Sequence, residues 1–553
     1  MIGGNGRAGW FRRALTVALA CGLGCAGFGP GDAALADTGP AAGVPATVSA
    51  DVLPTWQING VVWSQVVVNN TVYATGSFTK ARPPGVAAGG AGEVTANNIF
   101  AYDITTGNRV SSFSHSLNAQ GRSVAASPDG TKLYVGGDFT TVDGQARGHI
   151  AQFDLPGGTL NTTFKPSLNG GVRALATAGS TVYAGGPFTA VNGTARTRLA
   201  AFNSGGALQG WAPKVDDGQV WSMVVAPDAS RVIVGGSFTT LNGGKAALGM
   251  GSISTTTAAL MPWAANTVIK NSTSGAAITS LRTDGTQIYG SGYAFGAGNF
   301  EGTFAANPTT GNITLLNDCH GDTYDVLPIG PVLYSVGHPH DCSWIRSYPD
   351  TSPRVRWQRA LAQTIAPTTT NRGPDNFGWN YNGRPASSVL QWFPQLAAGS
   401  FTGQSQGAWS LAGNSSYVAL GGEFPRINGV AQQGLARMAV SAIAPNKMGP
   451  TYTTNPPRTV PPTTATRTAS GTVKVIFGTA WDYDNESLTY ELLRNGTVVT
   501  AFTRSIKTNF WTVPGQTYTD TGLTPGTSYV YQVRIKDLFG NALLSPKSSA
   551  VTA

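Results

Sequence analysis

The sequence predicts an all-β protein, a seven-bladed β-propeller followed by a β-sandwich. Three observations predict it. A phrase close to Gly-Gly-x-Phe-Thr-x-Val/Leu-Asn/Asp-Gly returns through most of the chain, as LYVGGDFTTVDG from Leu133, VYAGGPFTAVNG from Val182 and VIVGGSFTTLNG from Val232. Weaker copies start at Val72, Ile288, Leu333 and Val418. The copies lie roughly 50 residues apart, a period that fits a propeller blade made of several short strands. Only 11% of the 553 residues are charged and 72 are Gly, against roughly 25% charged in an ordinary globular chain. That mixture suits short strands joined by tight turns. Near the end, Val473-x-Val475-x-Phe477, Leu488-x-Tyr490-x-Leu492 and Tyr529-x-Tyr531-x-Val533-x-Ile535 alternate with the period of half-buried strands in a sandwich.

One repeat parses strand by strand. Val220 to Val225 reads as a strand, Pro227-Asp228 as a turn, and Arg231 to Gly235 as a second strand. Leu248 to Ile253 is the third, and Leu260-Met261-Pro262-Trp263 ends a fourth. Period-two alternation buries one set of side chains against each neighbouring blade. First strands are expected near Trp63, Arg122, Arg173, Trp221, Thr279, Tyr324 and Trp409, which makes seven blades. Leu53-Pro54-Thr55-Trp56 matches fourth-strand endings such as Thr163-Phe164-Lys165-Pro166, and the last blade lacks such a tail. The N-terminal strand is therefore expected to complete the last blade and leave no open edge.

The domain plan follows. Residues 1–36 read as an export signal, with Arg7, Arg12 and Arg13, the apolar stretch Ala14 to Gly24, and Ala34-Leu35-Ala36 as the cleavage site. An N-terminal extension (37–50), the propeller (51–443), a Pro/Thr-rich linker (444–468) and the second domain (469–553) come next. No later apolar run is long enough to span a bilayer, so the mature, extracellular protein is expected to be released or held at the surface by other contacts. The formal charge is +9 without any Lys/Arg block, which argues against nucleic acid and fits an acidic glycan or anionic wall. Of the four Cys, processing leaves Cys319 and Cys342, expected to pair in an oxidising compartment.

The propeller region resembles the extracellular bacterial propellers of the delta-60 repeat type. The matching phrase is complete at Gly136, Gly185, Gly235 and Gly421, and blades five and six depart from it. That resemblance implies a fold and a location and carries no established reaction. Leu523-Thr524-Pro525-Gly526-Thr527-Ser528-Tyr529 resembles the corner of fibronectin type III domains, and Glu491 to Gly496 their central hairpin.

Candidate chemistry gathers on one face. Trp63, Arg122, Arg173, Trp221, Tyr324 and Trp409 recur once per blade at the start of a first strand. Aromatic faces stack on sugars and Arg forks bind carboxylate or sulfate; equally, these side chains plug the channel or wedge between blades. Blade six carries Cys319-His320-Gly321-Asp322 and His338-Pro339-His340-Asp341-Cys342. These residues read as hydrogen bonding around a disulfide, a binding or catalytic site, or a metal site, although no known zinc spacing matches and no metal or other cofactor is expected. The stretch Thr368 to Gly407 holds Trp379 and Tyr381, read as a carbohydrate platform capping the channel or as an apolar cluster holding the loop down. Asp482-x-Asp484-Asn485-Glu486 is only a partial calcium pattern.

The leading expectation is a secreted, monomeric recognition protein that binds glycan or a cell-envelope polymer on the loop face. A second is an extracellular carbohydrate-active hydrolase or lyase using Asp217, Asp322, His338, His340 and Asp341. A third is a protein-interaction scaffold.

Overall fold

The computed structural model describes residues 43–244, 247–453 and 462–553. The expected export signal and most of the N-terminal extension lie outside the described residues, as does part of the linker. Among the described residues, seven antiparallel sheets of three or four strands succeed one another, followed by the sandwich. The first strands are Val61–Val68, Gly121–Ala126, Ala174–Ala178, Val220–Val225, Ala276–Thr283, Thr323–Ile329 and Ala408–Gly413. Each packs beside the next and the seventh beside the first, so the sheets form a closed wheel.

The recurring phrase builds the same device in each complete copy. Its two Gly end the second strand. Its Phe (Phe139, Phe188, Phe238 and Phe424) is fully buried. Its Asn/Asp-Gly pair makes a tight hairpin turn, with positive φ at Asp143 and Gly144, Asn192 and Gly193, Asn242 and Gly243, and Asn428 and Gly429. Two consecutive positive φ values define the turn whose twist matches a hairpin, and Asn-Gly adopts it at least cost. The Gly pair is fixed by close approach: a Cβ at Gly186 would lie 2.1 Å from the Gly171 carbonyl oxygen.

An Asn clamp missing from the sequence reading holds this loop to the preceding one. Asn59 Oδ1 accepts from Thr79 N and Lys80 N, Asn118 Oδ1 from Thr140 N and Thr141 N, and Asn169 Oδ1 from Thr189 N and Ala190 N. In blade four Asp217 takes the same place.

The core lies between blades. Tyr73 and Ala101 of blade one pack with Val124, Leu133, Val135 and Phe153 of blade two, and each later junction repeats the arrangement. The closing junction joins Ala412, Ala419 and Leu435 to Val62, Val72 and Phe100. Residues 48–53 run beside the third strand of blade seven, Leu435–Ala439. Ser49 N donates to Ala439 O at 2.8 Å and Leu53 N to Arg437 O at 3.0 Å. The N-terminal segment thus supplies the outer edge of the last blade.

The sandwich stacks Thr464–Ala469, Thr472–Phe477 and Gln516–Asp520 on a four-stranded sheet centred on Ser487–Arg494 and Tyr531–Lys536. Val473, Val475, Phe477, Leu488, Tyr490, Leu492, Tyr531, Val533 and Ile535 form its core. Thr464–Ala469 falls where the sequence reading set the linker. Its side chains are mostly exposed, so no apolar alternation marks it; β-branched Thr and backbone pairing hold it as an edge strand. The sandwich docks on the propeller: Trp481 and Phe510 join Cys342, Ile345, Tyr348 and Phe393 in one apolar cluster. Asp484 Oδ2 accepts from Ala50 N at 2.6 Å and from Ser49 Oγ at 2.9 Å. No helix among the described residues is long and apolar enough to cross a membrane.

Candidate functional site

A β-bulge sits at the start of six of the first strands. Its extra residue is Trp63, Arg122, Trp221, Thr279, Tyr324 or Trp409 in turn. A bulge leaves one residue outside the ladder and re-aims its side chain. Arg173 occupies the corresponding place just before the strand of blade three, its N donating to Gly185 O at 2.8 Å. These seven residues line one cavity of about 380 Å³ at the channel mouth, together with Tyr293, Asp322 and Gln404. All seven are half-buried.

The rim is divided by chemistry. Tyr324 stacks on Trp409 at 4.1 Å between ring centres, and Trp409 meets Trp63 edge-on at 5.2 Å. The Arg122 guanidinium lies over the Trp63 ring at 5.1 Å. Arg173 follows, then Trp221, whose ring lies 5.8 Å from Tyr293. The aromatic edges are pinned from behind: Trp63 Nε1 donates to Gln120 Oε1 at 3.1 Å and Trp409 Nε1 to Glu423 Oε1 at 3.2 Å. The Trp221 indole N–H is buried and has no acceptor among the described residues. Arg173 Nη1 donates to Gln219 Oε1 at 2.5 Å. Burial first, then the like charge of Arg122, lowers the Arg173 pKa from its ordinary value against the Asp138 carboxylate, which pairs with Arg122 Nε at 3.3 Å. Burial first, then the Asp322 carboxylate to which its hydroxyl donates at 3.0 Å, pushes Tyr324 far above the usual phenol range.

The acid/base candidates are dispersed. Among the described residues, Asp322 is the one carboxylate that lines the cavity. His338 sits beside it, with Nε2 4.0 Å from Asp322 Oδ2 and Nδ1 3.0 Å from Gln406 Oε1; burial lowers its pKa, with Arg359 and Arg354 adding to the effect against Asp322. His340 is buried 3.2 Å from Asp350 and is pushed down to about 4, by burial first and then by Arg354. Asp341 is buried and accepts from Ser343 N at 3.0 Å. Asp217 clamps the blade-four loop, Oδ1 accepting from Thr239 N at 2.7 Å and Thr240 N at 3.0 Å, while Thr239 Oγ1 donates to Oδ2. The five candidates therefore do not assemble into one constellation.

Asp217 supplies a direct check. Burial raises its pKa, but the Thr239 and Thr240 hydrogen bonds outweigh it and hold the carboxyl below 3.8. Its contribution is complete above that value and is lost as pH falls through the lower folded-state pKa. Asp217→Ala should cost about 1–2 kcal/mol near neutrality, measured by urea denaturation. The deficit should shrink in acid; a deficit unchanged at low pH would refute the clamp.

The stretch 368–407 is divided in its roles. Tyr381 does not form an exposed platform. It is buried against Phe300, and its hydroxyl donates to Asn299 O. Trp379 lies away from the channel, 5.8 Å from the His320 ring and 5.2 Å from Phe377. Trp392 and Phe393 are fully buried. From this stretch Gln404, near its end, lines the cavity, while Gln406 is buried behind it against His338. Tyr293 was missed. By register, Gly292 pairs in blade five as Gly236 does in blade four, so Tyr293 stands at the variable position of the Gly-Gly-x-Phe phrase; that position faces the mouth.

Cys319 and Cys342 form a disulfide. Around it, His320 Nε2 lies 2.8 Å from Asp375 Oδ2 and 3.7 Å from Asp318 Oδ1. The sequence reading named His320 but neither Asp318 nor Asp375 as its partner.

Residues 128–164 match the model of a family described as a domain of unknown function (DUF5122) β-propeller. The match runs through blade two from the turn after its first strand, across the Gly-Gly-Asp-Phe-Thr phrase, to Phe164 of the next connection. No curated protein matches the chain. A β-propeller fits a recognition or protein-interaction role, and the disulfide is compatible with an extracellular protein.

Proposed function

We propose that the protein is a secreted, monomeric recognition module and that the channel mouth binds an extracellular glycan or cell-envelope polymer carrying acidic groups. The observation that supports this best is the shared rim: the faces of Tyr324, Trp409 and Trp63 adjoin Arg122 and Arg173 around one cavity of about 380 Å³. Sugar rings stack on the aromatic arc, and a carboxylate or sulfate pairs with the guanidinium forks. The cavity is within the ordinary size range of ligand sites. Residues 1–36 act as an export signal. The sandwich is read as fibronectin type III-like, a reading supported by Tyr529, whose hydroxyl accepts from Thr524 N at 3.2 Å across the corner.

The hydrolase reading is less favoured because a glycosidase needs two facing carboxylates and the cavity's lining includes only Asp322. Binding to a panel of neutral, carboxylated and sulfated polysaccharides, and to isolated cell wall, tests the proposal. Acidic polymers should bind best, and Arg173→Ala should reduce that preference roughly tenfold. Equal binding of neutral and acidic polymers by wild type and variant would reject it.

A further inference from the structure

The Asp318, His320 and Asp375 cluster lies away from the channel mouth and has no part in the proposed recognition. Asp318 ends the fourth strand of blade five, Ile313–Asp318. His320, two residues on, bridges to Asp341: His320 N donates to Asp341 O at 2.9 Å, and His340 N to His320 O at 2.7 Å. The Cys319–Cys342 bond sits between these positions. Asp375 comes from the loop beyond blade six. Its Oδ1 is committed to its own loop, accepting from Phe377 N at 2.9 Å and Trp379 N at 2.7 Å, while Oδ2 faces His320. The chain thus brings three segments to one point and holds two of them by backbone pairing and a covalent bond.

The charge balance at that point is incomplete. The three side chains are 2% exposed or less. One imidazole edge faces two carboxylates and can satisfy only one: it reaches Asp375 at 2.8 Å, while Asp318 Oδ1, at 3.7 Å, is buried with no hydrogen-bond partner among the described residues. A buried carboxylate oxygen left without a donor or cation is costly. One ligand atom from each residue falls within 4.8 Å of the other two. Metal bonds of about 2.0–2.2 Å to imidazole nitrogen and carboxylate oxygen place ligand atoms at comparable separations, so a cation needs only a small parting of His320 from Asp375. The surroundings close the point from water. The Phe377 ring lies 4.7 Å, Trp379 5.8 Å and Trp344 6.1 Å from the His320 ring.

We propose that Asp318, His320 and Asp375 bind a divalent transition-metal ion, Zn²⁺ before Mn²⁺, as a structural clasp tying blade five, the entry to blade six and the 371–381 loop together. One nitrogen and two oxygen ligands suit these ions better than Ca²⁺ or Mg²⁺, which take oxygen ligands in larger number or keep most of their water. Three protein ligands leave a further position for water, and its enclosure among buried side chains keeps substrate from it, which favours a structural role.

The test uses the full chain, purified from zinc- and manganese-supplemented culture. Elemental analysis should find a stoichiometric load of one of these metals. Prolonged EDTA treatment should lower the melting temperature, and added ZnCl₂ should restore it. Asp318→Asn, close in volume to the native residue, should lose at least tenfold in metal affinity, whereas Asp322→Asn, at the channel mouth, should retain the load. Wild-type protein that carries neither metal and melts identically with and without EDTA overturns the proposal, as does a load of Ca²⁺ alone or undiminished binding in Asp318→Asn. If Asp318→Asn does not fold, the metal content and chelator response of the wild type decide the matter.

Discussion

Arg437→Ala should destabilise the propeller by about 3 kcal/mol or more. Arg437 is buried on the third strand of blade seven. Its Nη1 donates to Ile104 O at 3.1 Å and Thr105 O at 2.8 Å, and its Nη2 to Pro54 O at 3.1 Å. One side chain therefore ties the last blade to a turn of the first and to the closing N-terminal segment. Hydrogen bonds from a charged donor contribute about 1.5–3 kcal/mol each, and removing the donor leaves three carbonyls to find water at a packed seam. The guanidinium's own desolvation, which lowers its pKa, offsets part of the sum. Arg437→Lys should recover only part of the loss, because a point charge cannot reproduce the planar fork. Urea denaturation followed by Trp fluorescence gives the measurement. A midpoint within error of wild type for Arg437→Ala would show that the seam does not depend on this residue.

Trp409→Ala should weaken glycan binding by about ten- to a hundredfold, which corresponds to about 1.4–2.7 kcal/mol. The indole forms the centre of the aromatic arc, touching Tyr324 on one side and Trp63 on the other. Its removal takes away a stacking face and frees both neighbours. It also strips Glu423 of one donor, although Thr402 N at 2.8 Å and Thr402 Oγ1 at 2.6 Å still satisfy that carboxylate. Folding should therefore suffer less than binding. Isothermal titration against the best acidic polymer, with denaturation as the control for folding, separates the two. Affinity unchanged in a folded Trp409→Ala protein would remove the arc from the binding surface.

The wheel was legible because its repeat encodes backbone geometry. Asn-Gly at a tight hairpin and Gly-Gly beside a neighbouring carbonyl leave few alternatives, so four full copies carried the argument for the fold. The channel-mouth residues were legible for the same reason: the repeat fixes one position per blade, and the bulge there does the aiming. Blades five and six were harder to read. Their loops are tied by side chains scattered along the sequence, such as Asn271 Nδ2 donating to Phe300 O at 2.6 Å, and by the disulfide. Asp318 at the end of its strand carried no motif that would single it out, and its companion Asp375 lies 55 positions beyond His320. Tyr381 stayed between an exposed platform and an apolar cluster because a lone aromatic in a long loop carries no sign of which apolar neighbour it will meet; it packs on Phe300. The Asn clamp escaped notice because its residues sit in the connection before each first strand, where Asn followed by Gly or Ala (Asn59-Gly60, Asn118-Ala119, Asn169-Gly170) also reads as a plain turn.

Asp484 accepts two hydrogen bonds from the strand that closes the wheel, and this gives the C-terminal module a mechanical meaning. Tension applied to that module would not dissipate along a loose tether; it would arrive at the joint between the first and last sheets, where the ring is held by noncovalent contacts alone. A load borne by a wall-bound polymer at one end and this module at the other would be felt first at that joint.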